Sequence, residues 1–196
     1  MISAILLSAG LSKRFKNGNK LIYKFNRQEI LIYSLKNILK SKIDEIIVVT
    51  GKDHNRIKRI LPKYKKIKII KSLKYKSGLS FSIRSGIKNL NLESSGFFIC
   101  LGDMPFFSHK YYNKMINHFN KSNKYPLVPF FNDKMRNPVL FPMSYLKKLK
   151  DLRGDVGAKK IIIQNKYNKI RFSRYKNFYD IDIIDGVSIR FCDEID

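Results

Sequence analysis

The 196-residue chain predicts an α/β fold of Rossmann-like type, a mainly parallel sheet with helices on both faces. Three observations predict it. Short continuous apolar runs, such as Ala4-Ile5-Leu6-Leu7 and Phe97-Phe98-Ile99-Cys100-Leu101, have the length and two-sided hydrophobicity of buried parallel strands. Amphipathic stretches of helical spacing alternate with them. Glycines close the runs at Gly10, Gly51 and Gly102, where such strands turn out into loops.

In chain order, Ser3–Leu7 is the first strand and Glu29–Lys40 the first helix, with Ile30, Tyr33, Ser34, Asn37 and Ile38 on one stripe. Asp44–Thr50 is a second strand. Arg56–Leu61 is a short helix stopped by Pro62, which lacks the donor a helix needs. Ile67–Lys71 is a third strand, Ser80–Leu90 a helix entered from a turn at Gly78, and Gly96–Leu101 a fourth strand. A helix follows around Lys110–Asn120, then strands near Pro126–Phe130 and Pro138–Phe141. Helices near Ser144–Lys150 and Asp155–Gln164 lead to a last strand near Lys169–Ser173. With no repeat and no low-complexity linker, residues 1–196 read as one domain.

A hydrophobic content of 44% excludes a disordered chain, and no apolar run approaches the ~20 residues that span a bilayer. The N-terminus lacks the basic segment of a secretory leader. Cys100 and Cys192 stand too far apart for a disulfide framework or zinc spacing, and His54, His109 and His118 are scattered. The expected compartment is a reducing cytoplasm. The net charge of +25 comes from 40 Lys+Arg against 15 Asp+Glu. Its surplus is mostly Lys beside abundant Ile and Asn, a compositional bias rather than a nucleic-acid surface. The rival class is a basic nucleic-acid-binding or accessory protein on the same scaffold. In either case the positive field draws anionic ligands, less so at high salt.

The loop after the first strand carries the first candidate chemistry. Ser8, Ala9, Gly10 and Ser12 let backbone N–H groups approach a ligand, and Arg14 and Lys20 add charge for an anion. That combination builds a phosphate cradle, although it also describes an ordinary strand-to-helix connection. Asp103 follows an apolar strand across a single Gly, so its carboxylate sits at the rim of the sheet and can hold a hard cation such as Mg2+. The competing reading is a turn-forming Asp before Pro105. Gly78, Ser80 and Ser82 offer backbone and hydroxyl groups at a helix start, for a ligand or simply as a cap. Asp155 is likewise a good helix N-cap. Ligands of such sheets bind beyond the carboxyl ends of the strands, where Gly10 and Asp103 fall.

Taken in order, Ser8-Ala9-Gly10-Leu11-Ser12, Asn19-Lys20-Leu21, Gly78–Ser82, Leu101-Gly102-Asp103-Met104-Pro105, Asn137-Pro138, Gly154–Ala158 and Asp180-Ile181-Asp182 resemble the MobA-like nucleotidyltransferases. Among these, the chain is most similar to the molybdenum cofactor cytidylyltransferases, from Ile2 to about Val187. The resemblance implies the nucleotide-diphospho-sugar transferase type of fold. It implies Lys20 and Arg14 on a triphosphate, Asp103 and Asp182 on Mg2+, and the Ser8–Ser12 loop with Gly78, Ser80 and Ser82 around the nucleoside. Asn137 and Asp155 would face the acceptor. The chain departs from the family pattern in places. Ile183 and Ile184 stand where Thr-Pro is usual, the first loop runs one residue longer, and Arg136 replaces a Gly. Ser8-Ala9-Gly10 is nearer the Ala-Ala-Gly of cytidylyltransferases than the Gly-Gly of guanylyltransferases.

The implied reaction is transfer of CMP from CTP to a phosphorylated acceptor, molybdopterin, with release of pyrophosphate. The alternatives are guanylyl transfer, or a sugar- or alcohol-phosphate acceptor. A molybdoenzyme or its chaperone is the implied protein partner.

Overall fold

Strand β1 (Ile2–Ser8) is buried along its whole length. Its side chains alternate between two cores, Ala4 and Leu6 on one face and Ile5 and Leu7 on the other. This is why the run reads as continuously apolar. In the computed structural model, residues 1–12, 15, 18–173, 178, 181–184 and 188–191 are described, the last two segments as backbone. After β1 come a small hairpin, β2 (Lys24–Phe25) and β3 (Gln28–Glu29), then α1 (Ile30–Leu39), β4 (Glu45–Thr50) and α2 (His54–Ile60). Next are β5 (Ile67–Lys71), α3 (Leu79–Ile87), β6 (Gly96–Leu101) and α4 (His109–Phe119). The remainder comprises β7 (Leu127–Phe131), β8 (Lys134–Met135), β9 (Val139–Pro142), α5 (Leu146–Lys150), α6 (Lys159–Ile163), β10 (Asn168–Arg171), β11 (Ile181–Ile184) and β12 (Ser188–Phe191).

The main sheet runs β10-β7-β9-β6-β1-β4-β5, with β8 paired to β7. Side chains of α1, α2 and α4 (Leu31, Leu35, Ile57, Met115 and Phe119 among them) fill one core; α3, α5 and α6 fill the other with Ile83, Ile87, Leu149 and Ile161. The two-sided cover expected from the sequence is thus present. Two strands depart from the parallel pattern: β8 pairs antiparallel with β7, and β9 lies between β6 and β7, antiparallel to both. The link from β7 to β9 is a tight turn through β8, with Asn132 and Asp133 at positive φ, too short for the helical crossover that parallel strands require. The helix expected from Asp155 starts only at Lys159, the late strand expected to end at Asp182 runs on to Ile184, and the β2–β3 hairpin has no legible period. The β11–β12 pair stands apart from the main sheet, with Asp182 opposite Arg190.

This strand order fixes where a ligand goes. From β1 the chain moves outward through β4 to β5, then returns to place β6 on the other side of β1. The connections after β1 and β6 therefore diverge and open a crevice at the carboxyl edge of the sheet.

Candidate active site

A cavity of about 590 Å3 occupies that crevice. One wall comes from the ends of β1 and β6 and the loops that follow them. The other comes from residues 75–79 and Ser82, closed at one end by Asp155.

The first wall is held by packing and a chain of hydrogen bonds. Phe15, buried, anchors the loop after β1 against Ile30 and the edge of Tyr23, with ring centroids 5.5 Å apart. Its N–H donates to the Ser12 carbonyl at 2.8 Å. Gly18, at φ +104°, turns the chain back in a conformation that a side chain would strain. Asn19 then receives the Leu21 N–H at 3.0 Å and donates through Nδ2 to Asp53 Oδ2 at 3.0 Å, tying this loop to the one after β4. The Lys20 N–H donates to Ser12 Oγ at 3.2 Å. Gly51 permits the approach of these loops, because a Cβ there would stand 2.7 Å from the Ala9 carbonyl oxygen. The outcome is an ion pair across the crevice: Lys20 Nζ lies 2.9 Å from Asp103 Oδ2, with the two side chains 15% and 22% exposed.

The second wall centres on closely packed backbone. Gly78, at φ +112°, opens α3, and a Cβ there would lie 2.5 Å from the Gly154 carbonyl oxygen. Asp155 Oδ1 accepts the Leu79 N–H at 3.0 Å, and Ser80 Oγ donates to the Gly154 carbonyl at 2.6 Å. Tyr75, Lys76 and Ser77 complete this wall.

The predicted residues that share the cavity are Ala9, Gly10, Ser12, Lys20, Gly78, Ser82, Asp103 and Asp155. Three others stand outside its lining. Ser8 is buried, its hydroxyl without a hydrogen-bond partner among the described residues. Ser80 is fully buried and turned to Gly154. Asn137 sits between β8 and β9. The cap reading of Asp155 is corrected in its target, since the carboxylate serves α3 rather than the helix that follows it. Arg14 lies outside the described residues, as does the side chain of Asp182. Sequence reasoning missed Tyr75, Lys76, Ser77, the Asn19–Asp53 bond and the Phe15 anchor. Of these only Phe15 had a signal, as a large apolar residue inside a basic loop.

Among the described residues no group of three or more His, Cys, Asp or Glu side chains could hold a metal by itself. Asp103 alone still suits a hard cation. Mg2+ commonly takes one or two carboxylates and completes its shell with phosphate and water oxygens, and this carboxylate faces an open cavity. Beneath this wall, burial pushes the Cys100 thiol up to about 12, so it is an inert core group.

A doubly covered, mainly parallel sheet, with a Lys–Asp pair at the divergence of its loops, defines this protein as a Rossmann-like α/β protein with a ligand crevice at the carboxyl edge of its sheet. The chain belongs to the MobA-like NTP transferase domain family, whose profile matches residues 4–169. It is 27% identical over 143 residues to a protein named probable molybdenum cofactor guanylyltransferase from Thermococcus sibiricus. That match covers 71% of this chain and spans 65% of the relative's length. It is 25% identical over 188 residues to the purine catabolism protein PucB of Bacillus subtilis, covering 92% of this chain and 90% of PucB. In fold it is similar to Rv0371c of Mycobacterium tuberculosis H37Rv, with a TM-score of 0.79, 17% identity and 92% of each chain covered. A structure of Rv0371c in complex with manganese aligns with a TM-score of 0.76 at 16% identity, covering 94% of each chain.

Proposed function

We propose that the chain transfers CMP from CTP to the phosphate of molybdopterin and releases pyrophosphate. The observation that carries this reading is the Lys20–Asp103 pair inside the cavity, a mobile cation and a carboxylate at the place where a triphosphate would lie. The Ser8-Ala9-Gly10 loop, similar to the cytidylyltransferase pattern, supports cytosine. A second reading, GTP as donor, is supported by the name of the Thermococcus sibiricus relative.

In the proposed reaction an oxygen of the acceptor phosphate attacks the α-phosphorus of the NTP. The new P–O bond forms as the bond to the β-phosphate oxygen breaks, and the electron pair leaves with pyrophosphate. A phosphate monoester is already ionised at neutral pH, so no general base is needed. Catalysis then rests on alignment and on stabilising the charge that develops. Lys20 would leave Asp103 for the phosphates, and Asp103 would hold Mg2+. When bound, Mg2+ supplies charge neutralisation at the phosphate oxygens. Arg14 would clamp the triphosphate, and Asp182 would add a second metal-facing carboxylate. Asn137 and Asp155 would face the acceptor, as the family resemblance implies. The metal-bound form of Rv0371c is in keeping with a divalent ion in this fold.

The test is pyrophosphate release with Mg2+, molybdopterin and each of the four NTPs. CTP turnover that vanishes in Asp103→Ala is the expected result. Turnover with GTP instead moves the donor to the second reading. NTP binding without turnover contradicts molybdopterin as acceptor.

A further inference from the structure

Helix α3 opens without a cap of its own. Its N-cap is Gly78, which has no side chain to accept the first free N–H groups. That role is filled from 76 residues away: Asp155 Oδ1 accepts the Leu79 N–H at 3.0 Å, where its negative charge also faces the positive end of the helix. The adjoining contact runs the other way, Ser80 Oγ donating to the Gly154 carbonyl at 2.6 Å. The two backbones touch so closely that a Cβ on Gly78 would stand 2.5 Å from the Gly154 oxygen and 2.6 Å from the Asp155 nitrogen. Asp155 does not start the helix that follows it, since α6 begins at Lys159 behind Ala158. Its structural work is done on α3.

We propose that Asp155 is a positioning residue for the nucleotide: it fixes Gly78–Ser82, the segment that frames the nucleoside, from the segment that leads toward the acceptor. This rests on the reading above that the cavity binds an NTP. Because each segment is held by the other, nucleotide affinity depends on a carboxylate that makes no bond to the nucleotide. Gly154 and Ser80 belong to the same clamp.

Asp155 also lines the cavity, so the experiment must separate positioning from a direct charge contact. Asp155→Asn keeps an acceptor oxygen for the Leu79 N–H and removes the charge, whereas Asp155→Ala removes both. CTP and GTP are titrated calorimetrically into the full chain, without acceptor, with thermal melts of each variant alongside. Asp155→Ala is expected to weaken the nucleotide that wild type binds about fivefold, the scale of a lost N-cap, while Asp155→Asn stays within about twofold. Ser80→Ala is expected to weaken it as well, and the double variant Asp155→Ala/Ser80→Ala to lose less than the product of the two single effects. Wild-type affinity in Asp155→Ala overturns the positioning role, as does a loss in Asp155→Asn equal to that in Asp155→Ala. A wild-type chain that binds no NTP overturns the nucleotide reading and this inference together.

Discussion

The two walls of the cavity solve the same problem, holding a loop beside a ligand, with different means. The wall built on β1 and β6 ends in charge: Lys20 against Asp103, braced by Asn19, by Asp53 from the loop after β4, and by the buried Phe15. The wall built on α3 ends in backbone and a single helix cap, with Gly78 pressed against Gly154 and Asp155. Charge at a rim suits phosphates, where stabilisation is electrostatic and tolerates a mobile side chain. Closely set backbone suits a planar, uncharged base, where position matters more than field. On the proposed function, the chemistry falls to the first wall and the framing of the nucleoside to the second.

That division can be broken by substitution. Asp103→Ala is expected to cost the most, on the order of 10²–10³ in kcat, by removing the one predicted metal-facing carboxylate that lines the described cavity. Pyrophosphate release measures it. Lys20→Met should cost about 10²-fold in kcat/KM, read by the same pyrophosphate-release assay, by removing the cation that lies against Asp103 in the cavity. Gly78→Ala acts on the opposite wall. Its positive φ and its contact with Gly154 predict a loss of about 1–3 kcal/mol in unfolding free energy, read by urea denaturation, together with weakened nucleotide binding.

Two smaller effects sharpen the account of what lies behind the charged wall. Cys100, with its thiol pushed up to about 12 by burial, should resist iodoacetamide at pH 7.5 until the chain is denatured. Site-resolved mass spectrometry of native and unfolded protein checks this, and labelling of the native chain would mean that β6 opens. The smallest effect concerns His54, whose ring Nδ1 lies 2.7 Å from Thr50 Oγ1. Burial, then Lys71 and Lys58, push its imidazolium below the ordinary value of 6.5. The unfolded chain therefore binds the extra proton first as pH falls, so this contribution to stability is complete above 6.5 and is lost below it. Urea midpoints at pH 7.5 and 5.5 should differ more for wild type than for His54→Gln.

Much of this was legible in the sequence because its causes are local. A strand buried on both faces must be largely apolar, so β1, β4 and β6 could be read directly, and Gly10 and Asp103 follow from where β1 and β6 end, whereas Lys20, one of many lysines, is singled out only by the family motif. What could not be read depends on distant partners. No local pattern says that Asp155 caps α3, that Asn19 reaches Asp53, or that β9 inserts antiparallel beside β6. Ser80 shows the same limit from the other side. A hydroxyl at a helix start can face a ligand or a neighbouring loop, and only the fold places Gly154 2.6 Å from it. Two-residue strands such as β2 and β3 are too short to carry any period.

The most direct test of the division between the walls is a crossed set of affinities. CTP, CMP and pyrophosphate would be titrated into wild type, Lys20→Met and Gly78→Ala, and GTP and GMP would replace the cytidine nucleotides if wild type selects GTP. The account predicts that Lys20→Met weakens pyrophosphate and the triphosphate while sparing the monophosphate, and that Gly78→Ala weakens both nucleotides while sparing pyrophosphate. Equal losses for all three ligands in both variants would contradict it, because the walls would then act as one undivided site.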